Sequence, residues 1–316
     1  MSASDTQSAR LALRLLGPFR LSMGEERPDQ SFGPKVQVLL AYLATRRGVP
    51  QHRDRVATLF WADRGQEQAR HSLRQALLTL RRGLAAAGAD PVVTDAGFVA
   101  LDPAAVTTDL ESFEALAARD DLDSLRQAEA LWAGDFLEGL AVSSELLVEW
   151  LERERERLRS LACDLRLRLA RALAEAGETG EAIAAARRAL AIDPALEEGH
   201  QLLMQLLPSA GHRTAALRQY QICAAALVRE LGAKPSAETE RIAAALRSEH
   251  APAARPVGSP QPGRRAAHSA PRHRRAAWLF AGGVAALLLV LAILLAPTRT
   301  AERVPTPPAA SGESQR

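Results

Sequence analysis

QEQARHSLRQALLTLRRGLAAA, residues 66–87, is the stretch whose reading decides the fold. No proline interrupts it, and Ala, Leu, Arg and Gln dominate, so it is expected to be a helix. At about 100° per residue, Leu73, Ala76, Leu77, Leu80 and Leu84 fall on one narrow side that requires a core. His71, Arg74, Gln75, Leu78 and Arg82 fall on the opposite side, with Arg70 and Arg81 on the flanks. After Glu67 the stretch has no carboxylate, whereas a solvated surface helix normally interleaves Glu with Arg four residues apart. A face of cations and an amide without acids suits a helix lying against phosphate. Taken alone it is equally a surface helix that happens to be arginine-rich, and the flanking chain has to decide between the two.

Working outward, Leu11 to Met23 alternates apolar and polar residues and breaks at Gly17-Pro18, which predicts two short strands. Phe32-Gly33-Pro34-Lys35 opens a helix with its proline in the first turn, and Arg46-Arg47-Gly48 ends it. A second helix is expected at about 53–61, then a loop to Gly65. After the 66–87 helix, Pro91 to Leu101 forms two apolar runs around Asp95-Ala96-Gly97, a hairpin. Strands, helix, helix, loop, helix and hairpin in that order describe a winged helix-turn-helix, with the third helix in the major groove and the hairpin as wing.

The charge is divided along the chain. Residues 1–104 carry 14 basic and 10 acidic residues, a net +4; residues 105–250 carry 17 and 25, a net −8; residues 251–316 carry 9 and 2, a net +7. Aromatics are only 4% of the chain, so Ala and Leu fill most of the interior, which points to helices. Gly177 and Gly211 are 34 residues apart, as are Ala182 and Ala216, Leu169 and Leu203, and Ala186 and Tyr220. This is the tetratricopeptide period. A third, degenerate unit is expected around 110–140, and a plain helical bundle with accidental spacing is the alternative. Within this region Trp150 to Arg168 alternates Glu and Arg, which reads as a solvated helix laced with ion pairs. Cys163 and Cys223 sit in apolar helical stretches and read as buried small hydrophobes.

The remainder divides into a basic, disordered linker at 251–276 and a run of twenty uncharged residues at 277–296, followed by a short tail at 297–316. Twenty apolar residues match a bilayer core of about 30 Å. Trp278, Leu279, Phe280, Leu287, Leu288, Leu289, Leu291, Ile293, Leu294 and Leu295 are the expected anchor in membrane lipid. Arg264, Arg265, Arg272, Arg274 and Arg275 lie just before the run, and the positive-inside rule then places the N-terminal domains in the cytoplasm and the tail outside it. The first ten residues have no apolar core, so no signal peptide is expected there.

The runs LGPF, FGPKVQVLLAYLA, RDRVATLFW, QARHSLRQALLTLRRGL and VTDAGFVALD resemble the response-regulator-type winged helix of the SARP-like antibiotic-regulatory activators. WAGDFLEGL, EWLERERERLRSLACDLRLRLARAL and ALRQYQICAAALVRELGAKPSAET resemble the bacterial transcriptional activator domain that follows such a head. The resemblance implies promoter binding by the head, and dimerisation or contact with the transcription machinery by the helical part. The chain has no GxxxxGK[ST] phosphate loop, so ATP-driven regulation is not carried over.

The expectation is a mainly α chain: a winged helix-turn-helix (α+β) at 1–104, a tetratricopeptide-like domain at 105–250, and a single transmembrane helix in the inner membrane. Its partners are double-stranded promoter DNA, a protein bound by the repeats, lipid, and a second copy of the chain as a dimer. Arg74, Gln75 and His71 are assigned to base edges, and Arg70, Arg81, Arg82 and Lys35 to phosphates. From His71 to Arg82 is about 16 Å of helix, enough to cross a major groove. No nucleophile–base pair, metal spacing or cofactor loop is apparent, so neither an enzyme nor a cofactor is expected. The alternative is a membrane-tethered repeat scaffold that does not bind DNA.

Overall fold

A computed structural model describes residues 10–23, 32–86 and 88–248. These fall in one compact unit, and the second unit, 256–316, lies outside the described residues together with the expected span and its anchor side chains. Among the described residues no helix is long and apolar enough to cross a membrane.

Strands β1 (Leu11–Arg14) and β3 (Arg20–Met23) pair antiparallel, with Leu13 opposite Leu21, and β2 (Gly17–Pro18) occupies the break between them. Leu11, Leu13, Leu21 and Met23 face inward, as the alternation requires. On its other edge β1 pairs in parallel with β7 (Val106–Thr108), and β2 pairs with β8 (Phe136–Glu138). Neither β7 nor β8 is legible in the sequence, because strands of three residues leave too little alternation to read. Strand pairing therefore runs across residue 104, joining the first residues of the head to the start of the helical region.

Helix α1 (Pro34–Ala44) begins at its proline, and its buried residues run from Val38 to Leu43. The short strand β4 (Gln51–His52) leads into α2 (Arg53–Phe60), and α3 (Gln66–Ala86) follows after a loop. Strands β5 (Val92–Asp95) and β6 (Phe98–Leu101) form the hairpin, and β4 adds to it to give a three-stranded sheet ordered β4-β6-β5. Its two-residue turn, Ala96 at φ 33° and Gly97 at φ 94°, uses the left-handed pair that a tight hairpin demands.

The helical part starts with the α4 (Asp109–Ala117) and α5 (Leu122–Leu131) pair, where the degenerate unit is expected. The long α6 (Glu145–Glu175) then packs on α7 (Thr179–Ile192), α7 on α8 (Glu197–Ser209), α8 on α9 (Arg213–Leu231), and α10 (Ala237–Ser248) closes against α8 and α9. The 34-residue period is physical. Glu178 N–H donates to the Leu173 carbonyl at 2.8 Å, and His212 N–H donates to the Leu207 carbonyl at 2.8 Å. Gly177 and Gly211 sit inside these two caps at φ 81° and 79°, where a side chain would be strained. Ala182 and Ala216 are both fully buried, as are Leu169 and Leu203 to within 2%.

Two features bind the halves. Asp109, at the start of α4, accepts from the backbone N–H groups of Leu15 at 2.7 Å and Leu16 at 3.1 Å. Burial pushes its carboxyl above the ordinary value, and these bonds to backbone N–H oppose that. Trp150 of α6 meets Tyr42 of α1 edge-on at 5.2 Å and Phe136 of β8 at 5.9 Å, and Tyr42 meets Phe60 of α2 at 5.7 Å. An otherwise aromatic-poor chain thus concentrates its rings where head and repeats join, where large flat side chains bury the most area.

The charged face of α6 departs from a merely solvated helix. Some of its pairs are local, such as Arg155–Glu152 and Arg157–Glu154. Others reach away: Arg157 to Glu114 of α4 at 2.7 Å, Arg159 to Asp135, Arg166 to Glu129 of α5 at 2.9 Å, and Arg168 to Asp120 at 2.8 Å. Arg155 donates to the carbonyls of Phe136 and Leu137, both at 3.0 Å. The sign alternation conceals these, because a partner distant in sequence leaves no local pattern. Cys163 and Cys223 are buried free thiols, and burial pushes both up to about 11.

Candidate nucleic-acid interface

Helix α3 buries Ala69, Leu73, Ala76, Leu77, Leu80 and Leu84 against α1 and α2, the stripe expected from its periodicity plus one alanine. Burying that stripe determines which side chains remain outside. Near its C-terminal end Gly83 faces the Phe32 ring so closely that an added Cβ would lie 2.5 Å from Cε1. The glycine therefore allows the chain before α1 to cross α3.

His71, Arg74, Gln75 and Arg82 are exposed on the opposite face, and Leu78 is 39% exposed among them. Among the described residues none of His71, Arg74 and Arg82 has a carboxylate within ion-pair distance. Arg70 differs. Its Nε and Nη2 form a two-pronged bond to the Asp54 carboxylate of α2, at 2.6 and 2.8 Å. That bond holds the Asp54 carboxyl below its ordinary value and pushes the Arg70 guanidinium up. Arg81 differs too: its Nη2 donates to the Val92 carbonyl at 2.7 Å and to Thr94 Oγ1 at 3.1 Å, with Asp90 at 3.7 Å. It ties the helix to the first strand of the hairpin. Lys35, half-buried in the first turn of α1, stands 5.4 Å over the Trp61 ring. Of the seven residues assigned to DNA from the sequence, four therefore sit free on one helix face, two brace that helix to its neighbours, and one rests on an aromatic ring.

Sequence reasoning passed over the first turn of α2. The Asp54–Arg70 bond sets this turn beside the first turns of α3, and it carries Arg53 and Arg55 on either side of Asp54. Arg53 N–H donates to the Gly97 carbonyl of the hairpin turn at 2.8 Å, and the His52 ring meets Phe98 at 5.3 Å. The first turn of α2 is thus seated on the hairpin. The alternation Arg53-Asp54-Arg55 was the available signal. The hairpin itself, Val92 to Leu101, offers Asp95 and no cation. Chemically, the arrangement can present an amide, two guanidiniums and an imidazole on a braced helix to an anionic surface with base edges.

Comparisons with known proteins bear on both halves. Residues 104–247 match the family model described as the bacterial transcriptional activator domain. Curated relatives include the transcriptional regulatory protein EmbR of Mycobacterium bovis and that of Mycobacterium tuberculosis, each 34% identical over 93 residues, which is 29% of this chain and 24% of the relative. The match thus spans about a quarter of the length of those relatives. The solved structure of Mycobacterium tuberculosis EmbR in complex with a low affinity phosphopeptide superposes with a TM-score of 0.61 at 21% identity, covering 76% of this chain and 66% of that one. That likeness shows a shared fold. The helical region thus matches the bacterial transcriptional activator domain, and the described chain shares its fold with that solved structure.

Proposed function

We propose that this chain is a membrane-anchored, DNA-binding transcription regulator, an activator, that reads promoter DNA with α3 in the major groove. The observation that carries the reading is the face of α3, on which His71, Arg74, Gln75 and Arg82 have no acidic partner among the described residues while the two flanking arginines are tied internally. Arg74 and Gln75 are central on that face and are assigned to base edges, since Arg pairs with guanine and Gln with adenine through two bonds each. His71 and Arg82 take positions toward its two ends. The repeat region serves dimerisation or contact with the transcription machinery, and the apolar run at 277–296 holds the cytoplasmic part at the inner membrane. The reading includes no catalytic step. A flexible linker of the length of 251–276 has a typical reach of about 25–30 Å, so DNA has to come close to the membrane unless a protease frees the cytoplasmic part.

Genome-wide mapping of the tagged full chain, followed by gel shifts of the recovered sites over a salt series, tests the proposal. Discrete promoter sites and a steep loss of affinity with salt are expected, with log K falling by about 0.9 per phosphate neutralised for each decade of salt. Absence of enriched sites together with no salt-dependent binding would identify a tethered repeat scaffold instead. Mapping after deletion of 277–296 then separates the two modes of access: sites retained without the span favour proteolytic release, and sites lost without it favour reading at the membrane.

A further inference from the structure

The search outside α3 leads to the junction of head and repeats. A groove of about 420 Å³ opens there between α1, α2 and the first turns of α6. Its floor is apolar, from Tyr42, Leu59, Leu146 and Trp150. Its walls are tied together: Ser144, just ahead of α6 and buried, donates from Oγ to the Leu59 carbonyl of α2 at 2.7 Å, and Trp150 meets Tyr42 at 5.2 Å. The opening is therefore held by a hydrogen bond and a ring contact rather than left by loose packing. Its volume falls in the range of small-molecule sites, roughly 300–1,000 Å³, and an apolar floor with a few charged groups is the usual lining of such sites.

The charge at the rim selects the occupant. Asp54 lines the groove but its carboxylate is held by Arg70, and Glu149 is met by Arg153 at 3.6 Å. The two cations left over are Arg46 and Arg55, neither of which has a carboxylate within ion-pair distance among the described residues. The Arg46 guanidinium stands over the Tyr42 ring, 4.5 Å from its centroid, and its Nε is buried without a hydrogen-bond partner among the described residues. A guanidinium stacked on an aromatic ring with no carboxylate beside it is a ready partner for an arriving anion.

We propose that this groove is a binding site for a small apolar carboxylate, a flat or compact hydrocarbon body seated on Leu59, Leu146 and Trp150 with its carboxylate against Arg46 and Arg55. The site lies where the first turn of α2 carries Asp54, the residue that braces α3 through Arg70. Its occupant therefore touches the element that sets the recognition helix, without occupying the face of α3.

The test is equilibrium dialysis of the full chain against naphthalene-2-carboxylate and against the uncharged naphthalen-2-ylmethanol. The carboxylate is expected to bind at one site and at least tenfold more tightly than the alcohol. Arg46→Gln and, separately, Arg55→Gln each reduce that preference, and the double variant removes it. Leu146→Glu, at a position already 41% exposed, abolishes carboxylate binding by placing a like charge on the floor. Ile222→Glu, on α9 in a separate groove shared with α7 and α8, leaves it unchanged. Thermal melts of each variant confirm that the fold is retained, and comparison across variants cancels any partition of the probe into detergent. Equal binding of the two probes, or a preference that survives loss of both arginines in a folded chain, overturns the assignment. No DNA enters the measurement, so its failure is distinct from failure of the promoter-reading proposal.

Discussion

Helices α3 and α6 are both long, both arginine-rich and both amphipathic, yet their arginines do opposite things. On α6 the guanidiniums of Arg155, Arg157, Arg159, Arg166 and Arg168 all end on carboxylates or carbonyls, most of them on other elements, and the helix is stitched to α4, α5 and β8. On α3 the flanking Arg70 and Arg81 are used in this way, whereas Arg74 and Arg82 meet no carboxylate among the described residues. The number of cations is therefore a poor guide to a nucleic-acid surface. What distinguishes the α3 face is that the fold supplies no partner to it while rigidly bracing both sides.

The contrast can be broken most directly by exchanging the expected losses. Replacing Arg74 and Gln75 with Ala is expected to leave thermal stability nearly unchanged, since both are exposed, and to cost on the order of 4 kcal/mol in binding to a cognate site over a random one. Gel shifts with both duplexes read that difference, and equal discrimination by the variant would remove the base-reading assignment. On the other side of the comparison, Glu129→Ala strands the guanidinium of Arg166, whose side chain is only 7% exposed, and releases Arg188 as well. A loss of about 3 kcal/mol in denaturant unfolding is expected; a loss under a few tenths would mean that α6 is no more stitched than α3.

Gly83→Ala sharpens how α3 is seated. In an open helix the change would stabilise by about 1 kcal/mol. Against the Phe32 ring it is expected to destabilise by about 1–2 kcal/mol, read by the same unfolding curves. Arg82→Ala and Arg81→Ala form a smaller test. Loss of the free Arg82 should lower the salt slope of DNA binding by about 1, whereas loss of Arg81, tied to Val92 and Thr94, should weaken binding with little change in slope. The smallest effect concerns pH. The Asp54 carboxyl is lowered from 3.8 by its bond to Arg70, so the contribution of this pair is complete above that value and lost only as pH falls through the lowered one. A carbon NMR titration of Asp54 should therefore inflect below 3.8, and an inflection at or above that value would show that the α2–α3 brace is not formed.

Much of this architecture is legible from residue order alone, for identifiable reasons. Periodicity places the buried stripe of α3 correctly because burial follows angular position on a helix. The hairpin turn is readable from Asp95-Ala96-Gly97 because two left-handed residues in succession call for glycine. The repeat is readable because identical caps recur, at Gly177 and Gly211. Strands β7 and β8 are not, since two or three residues carry no period, and their pairing with β1 and β2 is decided by partners some 95 to 120 residues away. The same limit applies to the site. Sequence spacing puts Arg74 and Arg82 on one face and Arg70 and Arg81 on its flanks, and nothing local shows which of them the fold ties to a partner.

The sequence by itself determined the division of charge, the helix that faces outward with cations, the 34-residue repeat and the apolar run at 277–296. These are properties of composition and period, which the chain carries whatever it folds against. Only the tertiary structure decided that Arg70 belongs to Asp54, that Arg81 belongs to the hairpin, and that His71, Arg74, Gln75 and Arg82 belong to nothing inside the described molecule. Whether a guanidinium is free depends on what the fold brings within 4 Å of it, and that distance is set by how α2, α3 and the hairpin pack on one another.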